Sequence, residues 1–197
     1  MTITLTKAPF RADHVGSLLR SETIRQARKQ WEAGAITAEQ RYAVETKEIE
    51  RIVTKQIEVG LRLVTDGELR RRMFHIDFLE HLNGLEGYVP ERGLQFSGGV
   101  ESERYNVRNT GKISFNIDHP FLKEFVQFNR IVNGRAVAKQ TIPGVASLLV
   151  PGIRNKAIYP DIEEYVADVV QTFREAIAAL YDAGLRYLQL DDSFILG

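Results

Sequence analysis

The stretch 160–192 constrains this chain more than any other. Pro160 stands where a helix can begin, and Ile162, Val166, Val169, Val170, Phe173, Ile177 and Leu180 recur at helical spacing up to Gly184, a stop signal. The next six residues, Leu-Arg-Tyr-Leu-Gln-Leu, read as a strand that ends on Asp191 and Asp192. A long amphipathic helix feeding directly into a short apolar strand belongs to a βαβ unit. Such units cross over with one hand and build a parallel sheet.

The same alternation recurs upstream. Ser21 is placed to cap a helix running to about Ala33, with Gly34 as its stop. Thr37 followed by Gln40 is a capping box, and Tyr42, Ile49, Ile52, Val53 and Ile57 then share one helical face up to Gly60. Residues 61–67 read as a buried strand ending in a polar turn. Residues 84–118 hold six of the chain's 15 glycines, which argues against a helix there. Ile113, Phe115 and Ile117 alternate with polar neighbours as a half-buried strand would, so this stretch reads as a Gly-rich insertion or hairpin. Asp118, His119 and Pro120 then open a helix with Phe121, Phe125, Phe128 and Val132 inward, and 135–144 is a further strand.

Four strands are thus expected, ending near residues 14–17, at Asp66, near Thr141 and at Asp191. A complete eight-unit barrel takes about 250 residues. The 197 residues are therefore read as one α/β domain over 1–197, a (β/α)8 TIM-barrel type truncated to about the first half of the barrel.

Composition closes several doors. Lys and Arg number 26, as do Asp and Glu, so the formal net charge is zero and nothing in bulk charge favours nucleic acid or an anionic membrane. No apolar run approaches the roughly 20 residues of a membrane span. The first residues lack a basic flank before an apolar core, so no signal peptide is read and a cytoplasmic location is the expectation. The absence of cysteine excludes disulfides, a thiolate nucleophile and Cys-built zinc sites within this chain. No Walker A, GxGxxG or GxSxG pattern occurs.

In parallel α/β architectures the ligand lies beyond the carboxyl ends of the strands. Gly16 and Ser17, after Val15, offer backbone N–H groups and a hydroxyl suited to a carboxylate or phosphate. Glu68 could accept hydrogen bonds from an ammonium group, or else pair as a turn carboxylate with Arg70, Arg71 or Arg72. Those arginines themselves read as a solvated charge run. Asp191 and Asp192 end an apolar strand, which is costly unless a cation or ligand amine meets them. His14, Asp66 and Asp192 stand beside these groups in a supporting place. Residues 141–144 form a further strand-end turn. His14, His75, His81 and His119 offer no spacing for a three-ligand open site, so no metal ligand is assigned.

The blocks FRADHVGSLLR (10–20), VTDGELRR (64–71), FHIDFL (74–79), IYPD (158–161) and YDAGLRYLQLDD (181–192) resemble the cobalamin-independent methionine synthase family, in its shorter, single-barrel bacterial form. The resemblance implies a (β/α)8 barrel that transfers a methyl group from a methyltetrahydrofolate to the zinc-bound thiolate of homocysteine. It implies that Val15, Gly16 and Ser17 hold the amino acid's carboxylate and that Glu68 and Asp191 hold its amine. It also implies zinc ligands following the Asp191 strand, a His-x-Cys pair, a glutamate and a second cysteine, none of which stands in these residues. The expectation is a methyltransferase of methionine biosynthesis whose amino-acid-binding half is this chain, inactive in isolation. Homocysteine or methionine and a folate are its small-molecule partners, and a second copy or a complementary half completes it. A uroporphyrinogen-decarboxylase-like enzyme and a non-catalytic amino-acid-binding or interaction module are the alternatives.

Overall fold

The computed structural model describes residues 13–91, 95–96, 100–101 and 104–192. In chain order the elements are α1 (Glu22–Glu32), α2 (Ala38–Glu58), β1 (Leu63–Val64), α3 (Ile76–Leu79), β2 (Asn83–Tyr88), β3 (Gln95–Phe96) and β4 (Val100–Glu101). They continue with β5 (Asn106–Ser114), α4 (Pro120–Val132), β6 (Val137–Pro143), a 3-10 turn (Val145–Leu148), α5 (Ile162–Asp182) and β7 (Tyr187–Asp191). β1, β6 and β7 form a three-stranded sheet in that order. β1 and β6 run parallel, with Leu63 opposite Val137 and Val64 opposite Ala138. The protein is a mixed α/β chain with parallel pairing, and none of its described helices is long and apolar enough to cross a membrane.

The described residues divide into two compact units. One takes residues 13–72, 123–140 and 183–189; the other takes 73–122, 141–182 and 190–192.

The first unit is assembled as its caps dictate. Ser21 accepts from the Ile24 amide at the start of α1, and Thr37 and Gln40 close a complete capping box on α2. Ile24 and Ala27 of α1, Ile49, Ile52 and Val53 of α2, and Phe125, Phe128 and Val132 of α4 are buried, as are Leu63 and Val64. The Gln56 side-chain amide donates to the Thr65 carbonyl at 2.8 Å and accepts the Thr65 N–H at 3.0 Å, fixing the end of α2 against the end of β1. The strand expected over 61–67 is thus limited to Leu63–Val64, because side-chain bonds rather than a ladder satisfy the residues that follow. The strand expected to end at 14–17 is not seen over 13–17, and its remainder lies outside the described residues.

In the second unit β2 and β5 pair antiparallel, from Asn83 opposite Ser114 to Tyr88 opposite Asn106. Gly84 has φ +76, and a Cβ there would stand 2.3 Å from the Lys112 carbonyl oxygen, so only glycine fits the irregularity in this ladder. The half-buried strand expected at Ile113–Phe115–Ile117 is displaced. The ladder occupies 106–114 and turns Val107, Asn109 and Ile113 inward, while Ile117 is exposed beyond it. Local alternation names a face but not where pairing stops.

The helix α5 is turned relative to expectation. Tyr165, Val169, Thr172, Phe173, Ala176 and Leu180 face inward, whereas Ile162, Val170 and Ile177 are exposed. The Tyr165 hydroxyl donates to the Leu148 carbonyl at 2.5 Å and its ring meets Tyr159 edge-on at 5.1 Å. This anchoring tyrosine, absent from the expected stripe, sets the rotation.

Candidate functional site

The turn carrying Val15, Gly16 and Ser17 lies in the first unit, where residues 13–20 adopt neither helix nor strand. Side chains and one backbone bond hold it. The Leu18 N–H donates to the Gly67 carbonyl at 3.1 Å. The Lys139 ammonium, 1% exposed, donates to Asp13 Oδ1 at 2.6 Å, to Gln189 Oε1 at 2.8 Å and to the His14 carbonyl. Gln189 in turn donates from Nε2 to the Val15 carbonyl at 3.0 Å. Val15, Gly16 and Ser17 are themselves exposed, and none of the described residues crowds Gly16.

Directly against this turn stands Glu68. The Gly67 N–H donates to Thr65 Oγ1 at 3.2 Å and the Glu68 N–H to Asp66 Oδ1 at 2.9 Å, a side-chain-made turn that explains why Thr65 and Asp66 precede the glycine. Gly67 has φ +68 and Glu68 φ +55. A left-handed backbone at a non-glycine residue costs about 1–3 kcal/mol and recurs at functional sites. It delivers a carboxylate that is 2% exposed, whose Oε2 accepts from the Ser17 hydroxyl at 2.6 Å and lies 3.8 Å from Arg71 Nη1. The expected pairing with an arginine is seen at Arg71, on a buried rather than a solvated carboxylate, and Glu68 also meets the turn.

The arginine run is not a solvated face throughout. Arg71 is 4% exposed and Arg70 is half-buried over the Tyr42 ring, donating to Thr46 Oγ1 and Gln127 Oε1, while Arg72 is exposed. Nearby, Glu45 lies 3.5 Å from Arg28 and 3.8 Å from Arg41, and burial raises its pKa against their pull. Burial also pushes Glu124 up to about 7, opposed first by Arg70. The charge-bearing segment 66–71 is therefore tied by arginines to the helices that surround it.

Asp191 and Asp192 belong to the second unit. The Gly144 N–H donates to the Asp191 carbonyl at 2.9 Å. A Cβ on Gly144 would fall 2.4 Å from Asp192 Cγ, so the glycine is what admits that carboxyl group. Asp192 Oδ1 is buried with no hydrogen-bond partner among the described residues. The histidines do other work. His119 bonds the Phe78 carbonyl through Nε2 at 3.0 Å and accepts the Phe121 N–H on Nδ1, and burial lowers its pKa to about 4. His81 bonds the Asp77 carbonyl.

Residues 10–197 match the family described as cobalamin-independent synthase, catalytic domain. The chain belongs to that family. A Bacillus subtilis (strain 168) relative named uncharacterized protein YxjH is 49% identical over 187 residues, 95% of this chain and 49% of its own length. The methionine synthase of Sulfolobus acidocaldarius is 26% identical, over 92% of this chain and 51% of its own. Among solved structures, the putative vitamin-B12-independent methionine synthase from Listeria monocytogenes superposes with a TM-score of 0.80 at 44% identity, covering 94% of this chain and 52% of that one. The chain spans about half the length of these relatives.

The donor set for the zinc implied by the resemblance does not fit the residues present. The chain has no cysteine, and among the described residues no three His, Asp or Glu side chains are grouped to hold a metal ion. Lys139 and Gln189 are not among the candidate residues named from the sequence, although they hold the turn. A lysine in the strand-like stretch 136–143 was the available signal, since an unpaired ammonium does not survive in a buried strand.

Proposed function

We propose that this chain is the amino-acid-binding part of a methyltransferase that passes a methyl group from a methyltetrahydrofolate to the thiol of homocysteine. In this reading the sheet β1-β6-β7 is a segment of a (β/α)8 barrel and the enzyme acts in the cytoplasm. The observation that carries it is the 2.6 Å contact between the Ser17 hydroxyl and the buried Glu68 carboxylate. An exposed turn with backbone donors beside a buried anion is the arrangement an α-amino acid requires, because its carboxylate and ammonium are both carried by the α-carbon. Val15, Gly16 and Ser17 take the carboxylate. Glu68 and Asp191 take the ammonium, with His14, Asp66 and Asp192 in support; the Asx turn from Asp66 holds Glu68 in its left-handed conformation. The metal that activates the thiol is expected from the part of the relatives that this chain does not cover. The chain's own task is to bind and orient the amino acid.

The exposed apolar residues Ile162, Val170, Ile177 and Tyr181 along α5 support a second expectation, that the 197-residue chain associates with a copy of itself or with a complementary half.

Calorimetric titration with L-methionine and L-homocysteine tests the site. Glu68→Gln and Asp191→Asn are each expected to weaken binding at least tenfold, since each leaves an ammonium without its counter-charge. Unchanged affinity in both variants would remove the assignment.

A further inference from the structure

We propose that Lys139 is a positioning residue whose buried ammonium orients the backbone donors of the turn at Val15, Gly16 and Ser17. The proposal rests on the reading of that turn as the carboxylate-binding element and deepens it.

An ammonium has three N–H donors, and here all three have acceptors: Asp13 Oδ1, Gln189 Oε1 and the His14 carbonyl oxygen. Gln189 is itself held by Lys139 and donates to the Val15 carbonyl. Two consecutive carbonyls of the turn are therefore fixed, one by Lys139 directly and the next through Gln189. A peptide unit is planar, and in the trans form its N–H points opposite to its C=O. The chain has no cis peptide bonds among the described residues. Drawing the carbonyls of His14 and Val15 toward the buried ammonium thus sends the N–H groups of Val15 and Gly16 the other way, on residues that are exposed. A turn with no helix or strand of its own receives its orientation from one charge on β6.

The placement also explains the sequence. Lys139 stands in β6, whose residues 138–143 are all buried, and a buried cation is kept only where its partners are in place. Burial of the ammonium makes the interaction less sensitive to salt than a surface pair would be.

The experiment uses the full 197-residue chain with Lys139→Met, Lys139→Arg and Gln189→Leu. Amide hydrogen exchange is read at Leu18, whose N–H bonds Gly67, and at Val53 in α2 as the control. Binding of L-methionine is compared with that of L-methioninol, which keeps the ammonium but has no carboxylate. Lys139→Met is expected to speed Leu18 exchange at least tenfold with Val53 changed less than twofold, and to bring the methionine-to-methioninol preference close to one. Lys139→Arg should restore part of that preference. Gln189→Leu should shift both readouts about threefold, and it carries the same test if Lys139→Met does not fold. Leu18 exchange and ligand preference both unchanged would overturn the proposal. If the wild-type chain binds methionine no better than methioninol, the site reading fails, while Leu18 exchange still decides whether Lys139 sets the turn.

Discussion

The two units bury different things. The first places Glu45, Glu68, Arg71, Lys139 and Gln56 at or below 4% exposure, and its carboxylates are answered by arginines or by a hydroxyl. The second buries Phe78, Phe173, Tyr159 and Tyr165, and its fully buried histidine is held neutral. Buried charge is costly, and a buried ion pair commonly stabilises a fold no better than apolar side chains of similar size would. The first unit carries the turn and Glu68 beside the buried Phe125 and Phe128, while the second draws its stability chiefly from aromatic packing.

The sharpest way to break this contrast is to truncate an aromatic residue of the second unit. Phe78 packs against Phe121 at 5.5 Å and Phe173 at 5.9 Å and is 1% exposed. Phe78→Ala is expected to cost about 3–5 kcal/mol, read as lost protection in α5 by hydrogen exchange. Fluorescence of Trp31, the chain's one tryptophan and part of α1, reports the first unit separately.

Acid and base should then act on the two units with opposite sign. His119 titrates at about 4 in the folded protein against 6.5 when free, because burial disfavours its cation. Its contribution is complete above pH 6.5 and is lost as pH falls from there toward 4. Glu124 titrates at about 7 against 4.5, because burial disfavours its anion. Its contribution is complete below pH 4.5 and is lost as pH rises toward 7. Between pH 4.5 and 6.5, acidification is thus expected to loosen the surroundings of His119 while it tightens those of Glu124. Hydrogen exchange at pH 5.0 and 6.5 checks this, and Glu124→Gln should abolish the second trend alone. Trends of the same sign in both units would remove the contrast.

The smallest effect is expected at the surface. Ile177 is 38% exposed on α5, so Ile177→Lys should change stability by no more than about 0.5 kcal/mol. The same variant should lower the mass of any self-associated species seen by light scattering.

Sequence signals reached one unit's helices better than the other's. Ser21, Thr37 and Gln40 announce helix starts because capping is local chemistry, and α4's stripe of Phe121, Phe125, Phe128 and Val132 is buried throughout. On α5, apolar residues surround more than half the helix, so periodicity alone does not choose a face. The choice falls to Tyr165, whose partner Leu148 lies 17 residues upstream. The site divides the same way. Ser17 and Glu68 were legible as chemical groups after apolar runs, whereas their 2.6 Å meeting, 51 residues apart, depends on Gly67 and Glu68 both turning left-handed. The grip of Lys139 depends on tertiary closure for the same reason.

Glu68 has a consequence for how this protein drifts under mutation. Its backbone conformation is one that glycine or asparagine adopts more readily than glutamate does. Selection for the backbone conformation alone would therefore favour its replacement, against the contacts with Ser17 and Arg71, whereas selection for a bound ammonium would retain it. A mutational library sorted first by expression and then by ligand capture would rank this position in opposite orders. That inversion would mark residue 68 as a place where the proposed ligand, and not the preference of the backbone, retains the side chain.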